Sequence, residues 1–348
     1  MKAPVIAALS LLMLSPVTHA QRGSDQPSTI ADLSDVPVTV DNFVRAATDR
    51  EFAKYVSLAG GVNRFLHLRT PTPVEQQSTI RMNRDTLYSM VVIDVSEGAV
   101  LELPEAGERY LSAMVIDQDH YNTEVFHGGG RHEIDRDKIG TDHVLVILRV
   151  LVDASDPEDV AEVNALQDAM VIEAGSTKPF ISPAYDEESF DGLLAAILGL
   201  SPYSPDSTGV FGARENVVPI KHFLGTAGGW GGLPESEAFY LNVDPQLPPG
   251  RYRIDVPEDV PVDGFWSISL YNGAGYFEPN RLGAYNINSV TGDRNRDGSM
   301  TVHLGGCDDG RANCLPLMDG WNYTVRLYLP GAEVLDGSWS FPEARPID

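Results

Sequence analysis

The densest chemical string in this sequence is Asn83-Arg84-Asp85-Thr86-Leu87-Tyr88-Ser89, which runs directly into an apolar stretch. Asp85 and Thr86 can satisfy loop amides, Arg84 can clamp a carboxylate through two parallel N–H groups, and Tyr88 carries a hydroxyl on a large apolar body. The same residues also allow a purely structural pairing of Arg84 with Asp85 that fixes the start of a strand. Upstream, His67 alternates with neighbours so that it shares a strand face with Asn63, Phe65 and Arg69. An imidazole there can act as acid or base near neutral pH. If chemistry occurs, Asp85 or His67 is the expected base and Arg84 the stabiliser of developing charge.

Three further groupings invite a site. His120, His127 and His132 lie among Asp117, Asp119, Glu124 and Glu133, types that hold a divalent metal if loops gather them, although their spacing fits no motif and scattered loop histidines are the simpler expectation. Asp293, Asn295 and Asp297, followed by Gly298, match the first half of a calcium loop. Its twelfth position is Leu304, which has no oxygen to offer, so a hairpin turn between Tyr285–Val290 and Met300–Leu304 is preferred. Cys307 and Cys314, seven apart, are expected to form a disulfide that pins one loop. No cofactor is implied, a divalent metal being the one open possibility. Gly-x-Ser-x-Gly, P-loop, His-Glu-x-x-His and Cys-x-x-Cys patterns are all missing, which removes most weight from the common hydrolase, nucleotide and zinc-protease chemistries.

Those residues need elements to position them. Lys2, the apolar stretch from Val5 to Leu14 and the small-residue ending at Ala20 have the layout of a cleavable secretory signal, so a periplasmic or secreted location is expected. Residues 21–40 read as a flexible polar arm. Asp41 can cap a helix running to about Leu58, stopped by Gly60-Gly61. Short strands follow over Asn63–Arg69, Leu87–Val95, Val100–Leu103, Arg109–Asp117 and Val144–Val152, and the unbroken apolar run Val144–Leu148 predicts a strand covered on both faces. Asp156-Pro157 opens a helix to about Ala174, and a second helix spans about Glu187 to Leu198. The run Gly228-Gly229-Trp230-Gly231-Gly232 reads as loop, with Trp230 and the Tyr276-Phe277 pair as aromatics that can line a cleft. From Phe239 onward strands return, and Tyr252, Ile254 and Val256 alternate with Arg253 and Asp255.

Lys and Arg number 25 against 50 Asp and Glu, for a formal net charge of −25, and removing residues 1–20 takes it to about −26. Nucleic acid is therefore not an expected partner, because binding it requires a basic face that displaces counterions. No apolar run after the signal is long enough to span a membrane, and self-association is left open.

Taken with Arg109-Tyr110, Phe265-Trp266-Ser267, Asp297-Gly298-Ser299, Arg326-Leu327-Tyr328 and Asp336-Gly337-Ser338-Trp339, the string Asn83–Ser89 resembles two bacterial families found in tandem, Domain of Unknown Function 1254 and 1214. The resemblance implies a mainly β protein: an N-terminal immunoglobulin-like sandwich, a helical insert and a C-terminal jelly-roll sandwich, with no established reaction. One departure is Asn313-Cys314-Leu315-Pro316, where relatives tend to carry Trp in place of Cys314. The corresponding boundaries are 41–153, 154–236 and 237–348. The working expectation is a cleft between the two sandwiches that recognises a small organic or carbohydrate ligand. Its polar contacts would be Arg69, Asn83 and Tyr88 from the first half, with Tyr271, Asn286, Arg326 and Tyr328 from the second. A hydrolytic or metal-assisted enzyme using the same cleft, and an assembly or adhesion protein, are the alternatives.

Overall fold

The computed structural model describes residues 35–77, 80–204 and 208–347, so the expected signal segment and most of the expected arm lie outside the described residues. Helix α1 (Phe43–Ala59) buries Phe43, Ala46, Ala47 and Phe52 and ends on Gly60 in the left-handed conformation, as the glycine pair predicts; the residue at its N-cap is Asn42, one past Asp41. Strands β1 (Leu66–His67), β2 (Thr86–Asp94), β3 (Ala99–Leu103), β4 (Leu111–Asp117), β5 (Asn122–His127) and β6 (Gly130–Ile134) precede a single helical turn α2 (Arg136–Ile139) and strand β7 (His143–Leu151). Helix α3 (Pro157–Asp168) then leads into β8 (Val171–Ala174).

Among the described residues these strands form a five-stranded sheet, β1-β2-β7-β4-β5, and a three-stranded sheet, β6-β3-β8. Period-two alternation divides the central strands cleanly. Leu87, Val91 and Ile93 of β2, with Val144, Val146 and Leu148 of β7, pack against Leu101 and Leu103 of β3 and against Val163 of α3. Met90 and Val92, with Leu145 and Ile147, point the other way, toward Phe52 of α1 and toward Phe265 and Tyr328 of the C-terminal half. Both faces of β7 are thus covered, which is why its sequence lacks polar alternation.

Between the halves lie α4 (Glu187–Leu198) and α5 (Pro219–Gly229), which pack with α1 through Phe43, Phe190, Ile197 and Phe223. The second half contains β9 (Ala238–Val243), β10 (Tyr252–Val256), β11 (Trp266–Tyr271), β12 (Asn286–Asn288), β13 (Met300–Leu304), β14 (Cys314–Leu315), β15 (Asn322–Tyr328), the turn α6 (Ala332–Leu335) and β16 (Arg345–Pro346). They build two four-stranded sheets, β12-β11-β15-β9 and β14-β13-β10-β16, closed over Ile254, Trp266, Ile268, Val302, Trp321, Val325 and Leu327. The protein is mainly β, as expected. Cys307 and Cys314 are bonded, and no helix among the described residues is long and apolar enough to cross a membrane.

Several local expectations change. The helix from Asp156 ends at Asp168, because Val171–Ala174 is taken up as a strand beside β3, so the N-terminal sandwich extends past residue 153. His127 and His132 lie on paired strands, not loops. The strand expected over Asn63–Arg69 shrinks to Leu66–His67. Residues 35–40, expected in the arm, are docked: Val36 bridges Tyr185, and Val38 is buried with its N–H donated to Ser189 Oγ. The glycine-rich run is partly helical, since α5 reaches Gly229. Two glycines of this region serve close packing: a Cβ at Gly225, within α5, would overlap Val210, and one at Gly232, just after it, would overlap Phe211. Trp230 is half-buried, its ring stacked 4.9 Å from that of His120, and Phe277 is buried. Finally, β12 pairs with β11 while β13 pairs with β10, so residues 289–299 cross between sheets and do not close a hairpin.

Candidate functional site

Strands β11 and β15 alternate strictly. Trp266, Ile268 and Leu270, with Tyr323, Val325 and Leu327, face the sandwich core. The opposite face is polar, yet it is buried: Ser267, Ser269, Tyr271, Thr324, Arg326 and Tyr328 are all at most 3% exposed. What covers them is the N-terminal half, and in particular the loop leading into β2.

That loop is held by a chain of side-chain contacts. Gln77 accepts from Phe277 N–H and donates to Phe277 C=O. Arg81 donates to Thr324 Oγ1 at 2.9 Å, and the carbonyls of Arg81 and Met82 accept from Arg326 and Tyr271 Oη respectively. Asn83 uses its carbonyl oxygen to take the Asp85 N–H and its amide to reach Tyr328 Oη at 2.8 Å and Tyr88 Oη at 3.4 Å. Asp85, fully buried, accepts from Ser267 Oγ at 2.6 Å and Asn286 Nδ2 at 2.7 Å. Arg326 also donates to Ser269 Oγ and Tyr271 Oη. Burial alone would lower its pKa, but the phenols of Tyr271 and Tyr328 and the carboxylate of Asp85 outweigh that and hold the guanidinium firmly charged.

Asn83, Asp85, Tyr88, Tyr271, Asn286, Arg326 and Tyr328 therefore meet in one polar layer. Arg84 leaves it. Its side chain turns from Asp85, donates to Thr72 C=O at 2.5 Å and lies over the ring of Tyr285, 5.1 Å from its centroid. There it lines a cleft of about 250 Å³ between the halves, with Val152–Ser155 on one wall and Leu282–Asn288, Thr291, Gly292 and Asn313 on the other. Arg84 Nε has no hydrogen-bond partner among the described residues. Asn286 links the two places, since it lines the cleft and holds Asp85.

His67 and Arg69 are elsewhere. His67 pairs with Ser89 across β1–β2, and its Nδ1 lies 2.7 Å from Ser89 Oγ, on the face opposite Tyr88. Burial, then Arg69, keeps its pKa below the usual imidazole value. Arg69 is engaged by Asp168 and the Asn164 carbonyl of α3. Neither joins the junction. Asp297 accepts from Ser299 N–H and Oγ, and the Asn295 amide donates to Ser299 and Thr301, contacts that brace the turn. Among the described residues no three His, Cys, Asp or Glu side chains gather as metal ligands.

Two residues that the sequence reading passed over complete the layer. Arg149 of β7 is 6% exposed, and Tyr240 of β9 pairs with Arg326 across β15–β9. The signal for Arg149 was a single cation within the apolar run Val144–Val152.

Family comparisons bear on this architecture. A family model described as protein of unknown function (DUF1254) matches residues 62–138, and one described as protein of unknown function (DUF1214) matches residues 244–332. The two matches lie in tandem along the chain. No curated protein matches it. Among solved structures, the VPA0106 protein from Vibrio parahaemolyticus is similar in fold, with a TM-score of 0.65 at 17% identity over 89% of this chain and 100% of that one. An uncharacterized protein from Burkholderia cenocepacia aligns at TM-score 0.48 and 15% identity, over 88% of this chain and 86% of that one. The DUF1254 match includes the loop 80–85, and the DUF1214 match includes Ser267, Asn286 and Arg326, so the polar layer is made where the two domains meet.

Proposed function

We propose that this chain is an exported protein that recognises a small polar organic molecule, of sugar or organic-acid size, in the cleft between its two sandwiches. The observation that carries the reading is Arg84, whose Nε has no partner although the side chain lines a cleft walled by both halves. A charged donor kept free beside a hollow is costly to the fold unless something binds it. The volume of about 250 Å³ falls just below the usual range of ligand pockets, which starts near about 300 Å³, so the occupant is small. Export is supported by the layout of residues 1–20 and by the Cys307–Cys314 bond, which persists in oxidising compartments.

The test is thermal unfolding of the purified protein against monosaccharides, polyols and small organic acids. One class is expected to raise the melting temperature of the unmodified protein, and Arg84→Ala to abolish that rise while shifting the ligand-free midpoint little. A rise caused by a monosaccharide or polyol that survives the substitution counts against the cleft. A second reading has one observation in its favour: an apolar groove of about 630 Å³ in the C-terminal sandwich, lined by Phe239, Leu241, Trp339 and Phe341. A ligand whose effect is kept in Arg84→Ala and lost in Trp339→Ala belongs there.

A further inference from the structure

The charges sealed between the halves do not balance. Arg149 and Arg326 are 6% and 3% exposed, and Asp85 is the carboxylate buried with them. Both Asp85 oxygens are taken by neutral donors, Ser267 and Asn286. Arg326 is well satisfied, with Ser269, Tyr271 and the Arg81 carbonyl around it. Arg149 is not. Its one hydrogen bond runs from Nη2 to Gly231 C=O at 3.3 Å, and its Nη1 is buried without a partner among the described residues. A buried guanidinium left with open donors and no counter-ion is unfavourable, and such groups mark missing ions or ligands.

Its surroundings suit an anion. The guanidinium lies 5.4 Å from the centroid of the Tyr88 ring, and Arg149 pairs with Tyr88 on one side and Ser112 on the other across β2–β7–β4. Tyr110 and Tyr328 close the far wall, their rings 5.3 Å apart, and Asn83 ties Tyr328 to Tyr88. Tyr240, on the edge strand β9, completes the ring of phenols, with its centroid 6.0 Å from the Arg326 guanidinium. Tyr110 and Tyr328 are 8% and 1% exposed, whereas Tyr240 is 36% exposed, so Tyr240 is the wall that borders solvent. Hydroxyls that donate around a fixed guanidinium fork bind a planar carboxylate well.

We propose that Arg149, ringed by Tyr88, Tyr110, Tyr240 and Tyr328, seats the carboxylate of a small organic acid. None of these residues lines the Arg84 cleft, so the site is separate from the one above and stands or falls independently. The phenols that would share the anion's charge already favour a cation here: burial by itself would lower the Arg149 pKa, and Tyr88, Tyr240, Tyr110 and Tyr328 more than reverse it. The competing arrangement is internal, with Tyr88 itself ionised as the counter-ion.

Acetate is the probe. The full protein is unfolded thermally in sodium acetate and in sodium chloride at matched ionic strength and pH 7. Acetate at about five times its dissociation constant is expected to raise the midpoint by roughly 1–2 °C over chloride. Arg149→Met is expected to lose that rise, and Arg84→Ala to keep it. Equal midpoints in acetate and chloride, or an unchanged acetate effect in Arg149→Met, overturn the proposal. Should Arg149→Met not fold, Arg149→Lys carries the test, because it keeps the charge and loses the planar fork: acetate affinity about tenfold weaker is expected, and equal affinity overturns the proposal. Tyrosinate absorbance at pH 7 that disappears in Tyr88→Phe also overturns it, since the counter-ion is then internal.

Discussion

Replacing Asp85 distinguishes a carboxylate that holds the two halves together from one kept for chemistry. In Asp85→Ala, Ser267 Oγ and Asn286 Nδ2 lose their shared acceptor, and Arg326 and Arg149 are left with no buried carboxylate. Hydrogen bonds to a charged group contribute about 1.5–3 kcal/mol each, and breaking a buried charge arrangement by removing one member costs about 3–5 kcal/mol. The two figures describe the same loss and are not summed. Asp85→Ala is therefore expected to destabilise by about 3–5 kcal/mol. Asp85→Asn keeps the shape and one acceptor for Asn286, so about 1.5–3 kcal/mol is expected. Urea unfolding is followed by tryptophan fluorescence and far-ultraviolet circular dichroism. The unmodified chain is expected to unfold in one transition, because its halves share the polar layer, and Asp85→Ala in two separated ones. A change below about 1 kcal/mol with a single transition would refute the idea that Asp85 joins the halves. Loss of ligand response in Asp85→Asn at unchanged stability would return Asp85 to a chemical role.

Asp117 gives a pH prediction. Burial pushes its pKa up to about 6, so the folded protein binds a proton that the unfolded chain, with a carboxyl near 3.8, has released. Stability contributed by this group is present below about pH 4 and falls as pH rises to about 6, by on the order of 3 kcal/mol. Asp117→Asn retains an oxygen for the Asp119 and Tyr121 N–H groups and is expected to flatten that slope in urea midpoints measured from pH 4 to 7. Reduction of Cys307–Cys314 opens a loop only seven residues long in sequence separation, for an expected loss of about 2.5 kcal/mol, with hydrogen exchange increasing at 305–315 and not at the junction.

Parts of this fold were legible because local rules sufficed. Asp156-Pro157 marked the start of α3, Gly60 marked the end of α1, and the apolar run in β7 announced a strand covered on both faces. The boundaries that moved did so for long-range reasons. Val171–Ala174 has the composition to continue a helix or to pair, and the free edge of β3 decided for pairing. The run Gly228–Gly232 argued for loop, yet Gly228 and Gly229 continue α5, and what demands a missing Cβ is the neighbouring Val210 at Gly225 and Phe211 at Gly232.

For the candidate site, sequence determined which side chains share a face: alternation in β11 and β15 put Ser267, Ser269, Tyr271, Arg326 and Tyr328 on one side and the aliphatic and aromatic core on the other. It also set the composition of the loop 80–85 that has to meet them. Only the tertiary structure decided that this polar face is covered by protein and not by water, that Arg84 turns away from Asp85 toward Tyr285, and that His67 lies behind the sheet. A period of two fixes the faces of a strand through backbone geometry alone, whereas what covers a face depends on contacts between residues some 180–245 positions apart, as between Asp85 and Ser267 or Asn83 and Tyr328.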